Sequence, residues 1–143
     1  SMDKVIKRAQ STITEFGANL EPQLYVQPGE SFKVETQDNF FGKIQSEKDL
    51  PTPEQLPFLK HQFWKVNPVA GPIYVEGLKA GDLLVMEIED IIPSETGWTG
   101  FAPGFGNLAG HYDFPEFQKP YSRITHHKPV QVEQLRMGQA CLK

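Results

Sequence analysis

The sequence predicts an all-β fold, an antiparallel β-sandwich of the jelly-roll type with little helix. Short runs of β-prone residues recur between proline and glycine residues along the 143-residue chain. No amphipathic stretch keeps helical periodicity for more than about two turns. The length suits a single domain, residues 1–143, built around one core.

The best-marked strand pair lies in residues 67–92, which read NPVAGPIYVEGLKAGDLLVMEIEDII. IYVE predicts one strand and LLVMEIEDII the next. Between them, Gly77 and Gly81 can adopt the positive φ that a tight connection requires. Alternate residues of the second strand form an apolar face that we expect to be buried: Leu84, Met86 and Ile88. Glu87 lies on the opposite face and is expected to be exposed.

The first half of the chain predicts further short strands in KVIKR, STITEF, QLYVQ and FKVET, with a type II turn at Pro28-Gly29. Alternation places Phe32 and Val34 inward and Lys33 outward, and Asp38 continues the inward parity. Burying a carboxylate there is costly unless it is paired, hydrogen-bonded or bound to a cation, so Asp38 is a candidate functional residue. The alternative is that the strand has already ended and Asp38 caps a turn.

Two long segments carry turn residues rather than strand patterns. Residues 41–66 contain three prolines and predict a loop with one helical turn near Pro53. Residues 97–110 contain five glycines and interleaved aromatic residues, which predicts an irregular flap over a small-molecule site or an ordinary solvent loop. Further on, YSRITHH and PVQVEQL predict two more strands.

Composition excludes several classes of partner. The net charge is −4 and the basic residues are scattered, which argues against nucleic acid or an anionic membrane surface. Cys141 is the single cysteine, so neither an intrachain disulfide nor a multi-cysteine zinc site can form. No run of about 18 apolar residues is present. We therefore expect a soluble, cytoplasmic protein with no membrane partner.

Hydrolytic chemistry through a side-chain nucleophile has little support in these residues. The chain lacks a G-x-S-x-G elbow, and Cys141 lies near the end of the sequence. Water activated by a metal ion, bound by a carboxylate and one or two histidines, is the better option. His126 and His127 are adjacent, so in a strand they point to opposite faces and cannot both ligate one metal without a bulge.

Two stretches resemble signatures of the acetamidase/formamidase family: NPVAGPIYVEGLKAGDLLVMEIEDI and, upstream, VQPGESFKVETQD. Members of this family hydrolyse small aliphatic amides to the acid and ammonia. The resemblance covers most of residues 20–110 and corresponds to the front half of the family's usual chain. The family's later glycine-rich, aspartate-bearing stretch and its GD-x-H-like stretch are not found here.

The resemblance implies roles for individual residues. Asp38 and Glu76 are the expected catalytic residues, Glu76 because it ends a strand beside a glycine. The expected substrate-binding residues are Asn67, Gly71 and Trp98, and Asn67 stands where many members place a histidine. Asp38 and His111 are the expected ligands of a divalent metal, zinc or calcium.

The resemblance also implies a partner, because a front half alone exposes apolar surface that the missing half covers. We expect a complementary C-terminal half or a homo-oligomer, with an interface that uses the aromatic residues of 98–117. The alternative to an amidase is a non-catalytic β-sandwich module for binding or assembly that kept the fold and lost the chemistry.

Overall fold

The computed structural model describes residues 4–61, 65–106, 114, 115 and 118–128. The regular secondary structure of these residues is almost entirely strand, and the prediction of an all-β fold is confirmed. The strands are β1 Lys4–Ile6, β2 Leu24–Val26, β3 Phe32–Val34, β4 Ile73–Val75, β5 Thr96–Phe101 and β6 Tyr121–His126. The helical elements are α1, Phe58–His61, and a 3₁₀ turn at Arg8–Gln10.

The described strands form three pairs, and the antiparallel sandwich is not confirmed. β1 pairs with β3 and β2 with β4, both in parallel, whereas β5 and β6 are antiparallel. Parallel partners need a long connection between them, which accounts for the loops that separate β1 from β3 and β2 from β4. The chain leaves both members of a parallel pair at the same end of the sheet.

The core of the described residues is small because four of the six strands are three residues long. Its buried hydrophobic side chains come from strands and loops alike: Ile6, Val26, Ile44, Leu56 and Ala102. Ile6 is fully buried in β1, opposite Val34 of β3. Phe32 and Val34 are half-buried and Lys33 between them is exposed, which confirms the parity predicted for this strand.

The predicted turns occur where the glycines are. Gly29 has φ 81°, and Glu30 N–H donates to the carbonyl of Gln27 at 3.1 Å, as in a type II turn. Gly77 and Gly81 have φ 82° and 95°. Only glycine adopts these backbone conformations at little energetic cost, because it has no β-carbon to clash with the backbone.

The prediction of a second strand in the pair at residues 67–92 is wrong. Residues 83–92 follow the turn but form no strand, and the face expected to be buried is in solvent, with Leu84 54%, Met86 68% and Ile88 67% exposed. Glu87 is exposed as predicted, along with every other side chain of the segment. The cause is the absence of a pairing partner among the described residues, since β-propensity forms a strand only where a neighbouring strand accepts its hydrogen bonds.

The glycine-rich stretch contains a strand where an irregular loop was expected. β5 runs through Gly97 and Gly100 and pairs along its whole length with β6. A β-carbon added at Gly100 would lie 2.8 Å from the carbonyl oxygen of Tyr121 and 3.0 Å from the Trp98 ring. Here glycine permits close approach of two strands rather than mobility.

None of the helices in the described ranges is long and apolar enough to cross a membrane.

Candidate functional site

A polar cleft of about 400 Å³ lies where the chain leaves β1 and β3 and meets the start of β5. Because β1 and β3 are parallel, the residues that follow each strand emerge side by side. Its lining includes the side chains of Arg8, Gln37, Asp38, Asn39, Thr96 and Trp98. The volume suits a small organic molecule.

Asp38 is half-buried at this cleft, and its two carboxylate oxygens have different surroundings. Oδ1 accepts hydrogen bonds from the backbone N–H groups of Phe40, at 2.7 Å, and Gly42, at 3.1 Å. Oδ2 has no hydrogen-bond partner in the part of the chain that the structure describes. β3 ends at Val34, so Asp38 closes a turn after the strand, at the edge of the cleft.

Arg8 is a cleft residue that sequence reasoning missed. Its Nε donates to Oε1 of Gln37 at 2.9 Å, and its backbone N–H donates to Oε1 of Glu35 at 2.9 Å. A β-carbon on Gly42 would lie 2.9 Å from Nη2 of Arg8, so the glycine leaves room for the guanidinium. The sequence carries no signal for this placement, because it depends on which strand pairs with β1.

Trp98 is half-buried in β5 and separates the polar cleft from a second, apolar cleft of about 300 Å³. Its ring centroid lies 5.2 Å from that of Phe40. The apolar cleft is lined by Phe40, Leu59, Val66, Ala102 and Phe105, and Asn39 and Trp98 line both clefts. A molecule with a polar head and a short apolar tail can therefore contact both environments at Trp98.

The other residues implied as substrate-binding or catalytic are more dispersed. Asn67, with φ 58°, donates its backbone N–H to the carbonyl of Asn39 at 2.9 Å, which places it beside the cleft. Gly71 is buried away from the cleft and donates its N–H to Oε1 of Gln23 at 2.7 Å. Glu76 is exposed just after β4. Neither Gly71 nor Glu76 lines either cleft.

Of the two expected metal ligands, Asp38 lines the cleft and His111 lies outside the described residues. His127 lies near the cleft, where its Nδ1 donates to the carbonyl of Ser94 at 2.7 Å. A carbonyl can only accept, so this bond fixes the proton on Nδ1. In the described ranges, no three His, Cys, Asp or Glu side chains come together as a metal site.

The fold and the site together define the class of protein. It is an all-β chain with a polar cleft for a small molecule, and this cleft meets an apolar cleft at one tryptophan. The model of the acetamidase/formamidase family matches residues 2–138. The chain therefore belongs to the acetamidase/formamidase family. No functionally curated protein matches it.

Two solved structures resemble the chain. One is an acetamidase from Bacillus halodurans, with 29% identity and a TM-score of 0.62 over 78% of this chain. The other is a predicted acetamidase/formamidase from the thermophile Thermoanaerobacter tengcongensis, with 31% identity and a TM-score of 0.67 over 88% of this chain. This chain spans 34% and 38% of those two chains, about a third of their length.

Proposed function

We propose that this chain forms the N-terminal part of an enzyme that hydrolyses a small aliphatic amide, such as formamide or acetamide, to the carboxylate and ammonia. The observation that carries the proposal is the cleft at Asp38, in a chain that belongs to the acetamidase/formamidase family. The Bacillus halodurans relative is itself an acetamidase.

The cleft supplies groups for each requirement of amide hydrolysis. Oδ2 of Asp38 takes a proton from water as the water oxygen attacks the amide carbon. The guanidinium of Arg8 donates N–H groups to the oxygen that becomes negative. As the C–N bond breaks, the proton held by Asp38 passes to the departing nitrogen, which leaves as ammonia. The carboxylic acid that remains loses its proton to the ammonia or to solvent, and the resulting carboxylate lies beside Arg8.

Trp98 and the apolar cleft suit the short alkyl group of such a substrate. With the amide at Asp38, the alkyl carbons extend past the indole toward Phe40 and Ala102, where burial excludes water from them. Asn39 lines both clefts, and in this proposal its side-chain amide contacts the substrate near the carbonyl carbon. This arrangement favours an aliphatic amide over a larger aromatic one.

A divalent metal, zinc or calcium, held by Asp38 and His111, is a further part of this proposal. Such an ion supplies polarisation of the amide oxygen and acidification of bound water. The half-buried carboxylate of Asp38 supports it, but the described residues provide this one ligand and no cluster of three. Metal analysis of the purified chain tests the idea: bound zinc or calcium that is lost in both Asp38→Asn and His111→Ala supports it, and a metal-free active enzyme contradicts it.

Glu76 is proposed as a second catalytic residue on the family resemblance alone, since it lies outside both clefts. Ammonia release by Glu76→Gln decides this role. Unchanged kcat removes Glu76 from the mechanism, whereas a loss comparable to that of Asp38→Asn supports it.

The central test is ammonia release from formamide and acetamide. The chain is assayed alone and together with the part of the Thermoanaerobacter tengcongensis protein that it does not cover. We expect activity that Asp38→Asn lowers at least about a hundredfold, since a general base contributes about 10²–10⁴ in rate. Asp82→Asn is the matched control, because Asp82 also accepts a backbone N–H, from Lys79 at 2.8 Å, in a turn that does not line the cleft.

Two outcomes contradict the proposal. If both samples are inactive on both amides, the non-catalytic binding or assembly module becomes the better reading of the chain. If Asp38→Asn retains the activity that Asp82→Asn retains, Asp38 serves the turn alone and another group performs the chemistry.

A further inference from the structure

The segment 83–92 lies extended on the surface with its apolar side chains in solvent. Leu83 is 89% exposed, Val85 80% and Ile92 80%, and the other apolar members, Leu84, Met86, Ile88 and Ile91, are also exposed. A soluble monomer rarely leaves a contiguous apolar stretch of this size uncovered. This exposure indicates a surface that a further segment of polypeptide covers.

The backbone of the segment is as available as its side chains. In the described part of the chain, residues 83–92 make no backbone-to-backbone hydrogen bond. Among the described residues, its one side-chain hydrogen bond to a distant part of the chain joins Glu89 to Ser31, whose Oγ donates at 3.0 Å. The N–H of Ile91 donates to Oδ1 of Asp90 at 2.8 Å. The remaining N–H and C=O groups of this extended apolar segment are available to an added strand.

The charge of the segment distinguishes between possible occupants. From residue 82 to residue 95 the sequence carries five acidic residues and no lysine or arginine: Asp82, Glu87, Glu89, Asp90 and Glu95. Pairing with the same segment of a second copy would bring like charges together across the two strands. The charge therefore favours a different strand, apolar and carrying basic residues.

We propose that residues 83–92 dock an extended apolar strand that carries lysine or arginine and that belongs to the remaining two thirds of the acetamidase fold. The share of the two solved relatives that this chain covers, 34% and 38%, shows how much of that fold lies outside it. This inference rests on the proposed function, because it takes the partner from the same class of enzyme. It names the surface through which the chain joins that partner.

In the test, the tagged chain is co-expressed with the part of the Thermoanaerobacter tengcongensis protein that has no counterpart in this chain. Size-exclusion chromatography with light scattering reports the complex. We expect a one-to-one complex that weakens as salt is raised, because the contact pairs acidic with basic residues. Val85→Pro should reduce its yield at least about tenfold, since proline removes a backbone donor from the added ladder.

Phe16→Pro is the matched control. Phe16 is 92% exposed, and its N–H, like that of Val85, makes no hydrogen bond in the described residues, so neither proline removes a hydrogen bond from the unpartnered chain. The proposal is overturned if no complex forms or if Val85→Pro binds as well as Phe16→Pro. It is also overturned if the wild-type chain forms a homodimer that Val85→Pro alone disrupts.

Ammonia release from the same samples separates this inference from the proposed function. A complex that forms through residues 83–92 but hydrolyses neither amide supports the docking surface and counts against the amidase. Hydrolysis without a complex supports the amidase and removes the docking surface.

Discussion

At the scale of single residues, aspartates close the turns of this chain by accepting backbone hydrogen bonds. Oδ1 of Asp38 accepts from Phe40 and Gly42, and Oδ2 of Asp49 accepts from Gln45 and Ser46 at 2.8 and 2.9 Å. A short acidic side chain satisfies N–H groups that a tight turn leaves without a strand partner. In Asp38 this role uses one oxygen only, so the turn itself orients the other oxygen relative to the cleft.

The hydrogen bonds to Asp49 predict a specific acid sensitivity. Backbone N–H groups of Gln45 and Ser46 hold the pKa of Asp49 below its ordinary value. A carboxyl whose pKa falls on folding stabilises the native state above its unfolded pKa, near 4, and that contribution is lost as the pH drops through the lower, folded pKa. We therefore expect the Tm of the wild type to fall more steeply below about pH 4 than that of Asp49→Asn.

Thermal denaturation followed by circular dichroism between about pH 2 and 6 measures this difference. Glu54→Gln is the control, since Glu54 is exposed and makes no hydrogen bond in the described ranges. Glu54→Gln should keep the wild-type dependence of Tm on pH. Equal slopes in Asp49→Asn and the wild type would show that the turn at Asp49 contributes nothing to acid stability.

At the scale of elements, the β5–β6 pair is the most extensive regular structure of the described chain, with six paired positions from Thr96 to Phe101. Its glycines fit the close contact between the strands, and its Ser122 is buried, donating a hydrogen bond to the carbonyl of Asp49. The strand pair thus connects the Asp49 turn to Trp98 and supports one wall of the cleft.

Gly100→Ala should destabilise this strand pair. An added β-carbon meets the carbonyl oxygen of Tyr121 at 2.8 Å, and that backbone atom cannot move without displacing β6. We expect a loss of about 1–3 kcal/mol in the free energy of unfolding, the usual cost of overpacking. Urea denaturation measures it. Gly17→Ala is the control, because its β-carbon would meet only the Leu20 side chain at 3.8 Å, and a similar loss in both variants would contradict the explanation.

Hydrogen exchange should distinguish the unpaired segment from the paired strands. Amides of residues 83–90 have no backbone acceptor in the described chain, so we expect exchange close to the rate of an unstructured peptide. Amides within β5 and β6 should be protected by their ladder. Mass spectrometry of deuterated peptides provides both rates, and protection of 83–90 equal to that of β6 would show that the segment is already paired.

At the scale of the whole molecule, the described residues leave much apolar surface in solvent. Phe16 and every apolar side chain of segment 83–92 are more than half exposed. The five buried hydrophobic side chains of the described residues form a correspondingly small core. Less buried apolar surface means less stabilisation on folding.

The stability of the chain should therefore depend on its partner. We expect the Tm of the isolated chain to rise by several degrees, with partner concentration, when the uncovered part of the Thermoanaerobacter tengcongensis protein is added, since a ligand that binds only the folded state stabilises it. Differential scanning calorimetry measures the shift. Val85→Pro should show none, and an equal shift in that variant would place the stabilising contact elsewhere.

The sequence by itself determined the local features whose causes lie within a few residues. Proline and glycine placed the turns at Pro28-Gly29 and Gly77, β-prone runs placed β1 to β4 and β6, and two motifs indicated the family. Parity placed Phe32 inward and Lys33 outward, because alternation in a strand is a property of neighbouring residues.

Only the tertiary structure decided which strands pair and what lines the cleft. The run at 83–92 has the composition of a strand but is unpaired among the described residues, and the glycines of β5 serve close packing, because both outcomes depend on distant partners. Arg8 and Gln37 meet through the parallel pairing of β1 with β3, which no local pattern predicts. A long-range contact is set by the packing of the whole chain, so its residues carry no periodic signal in the sequence.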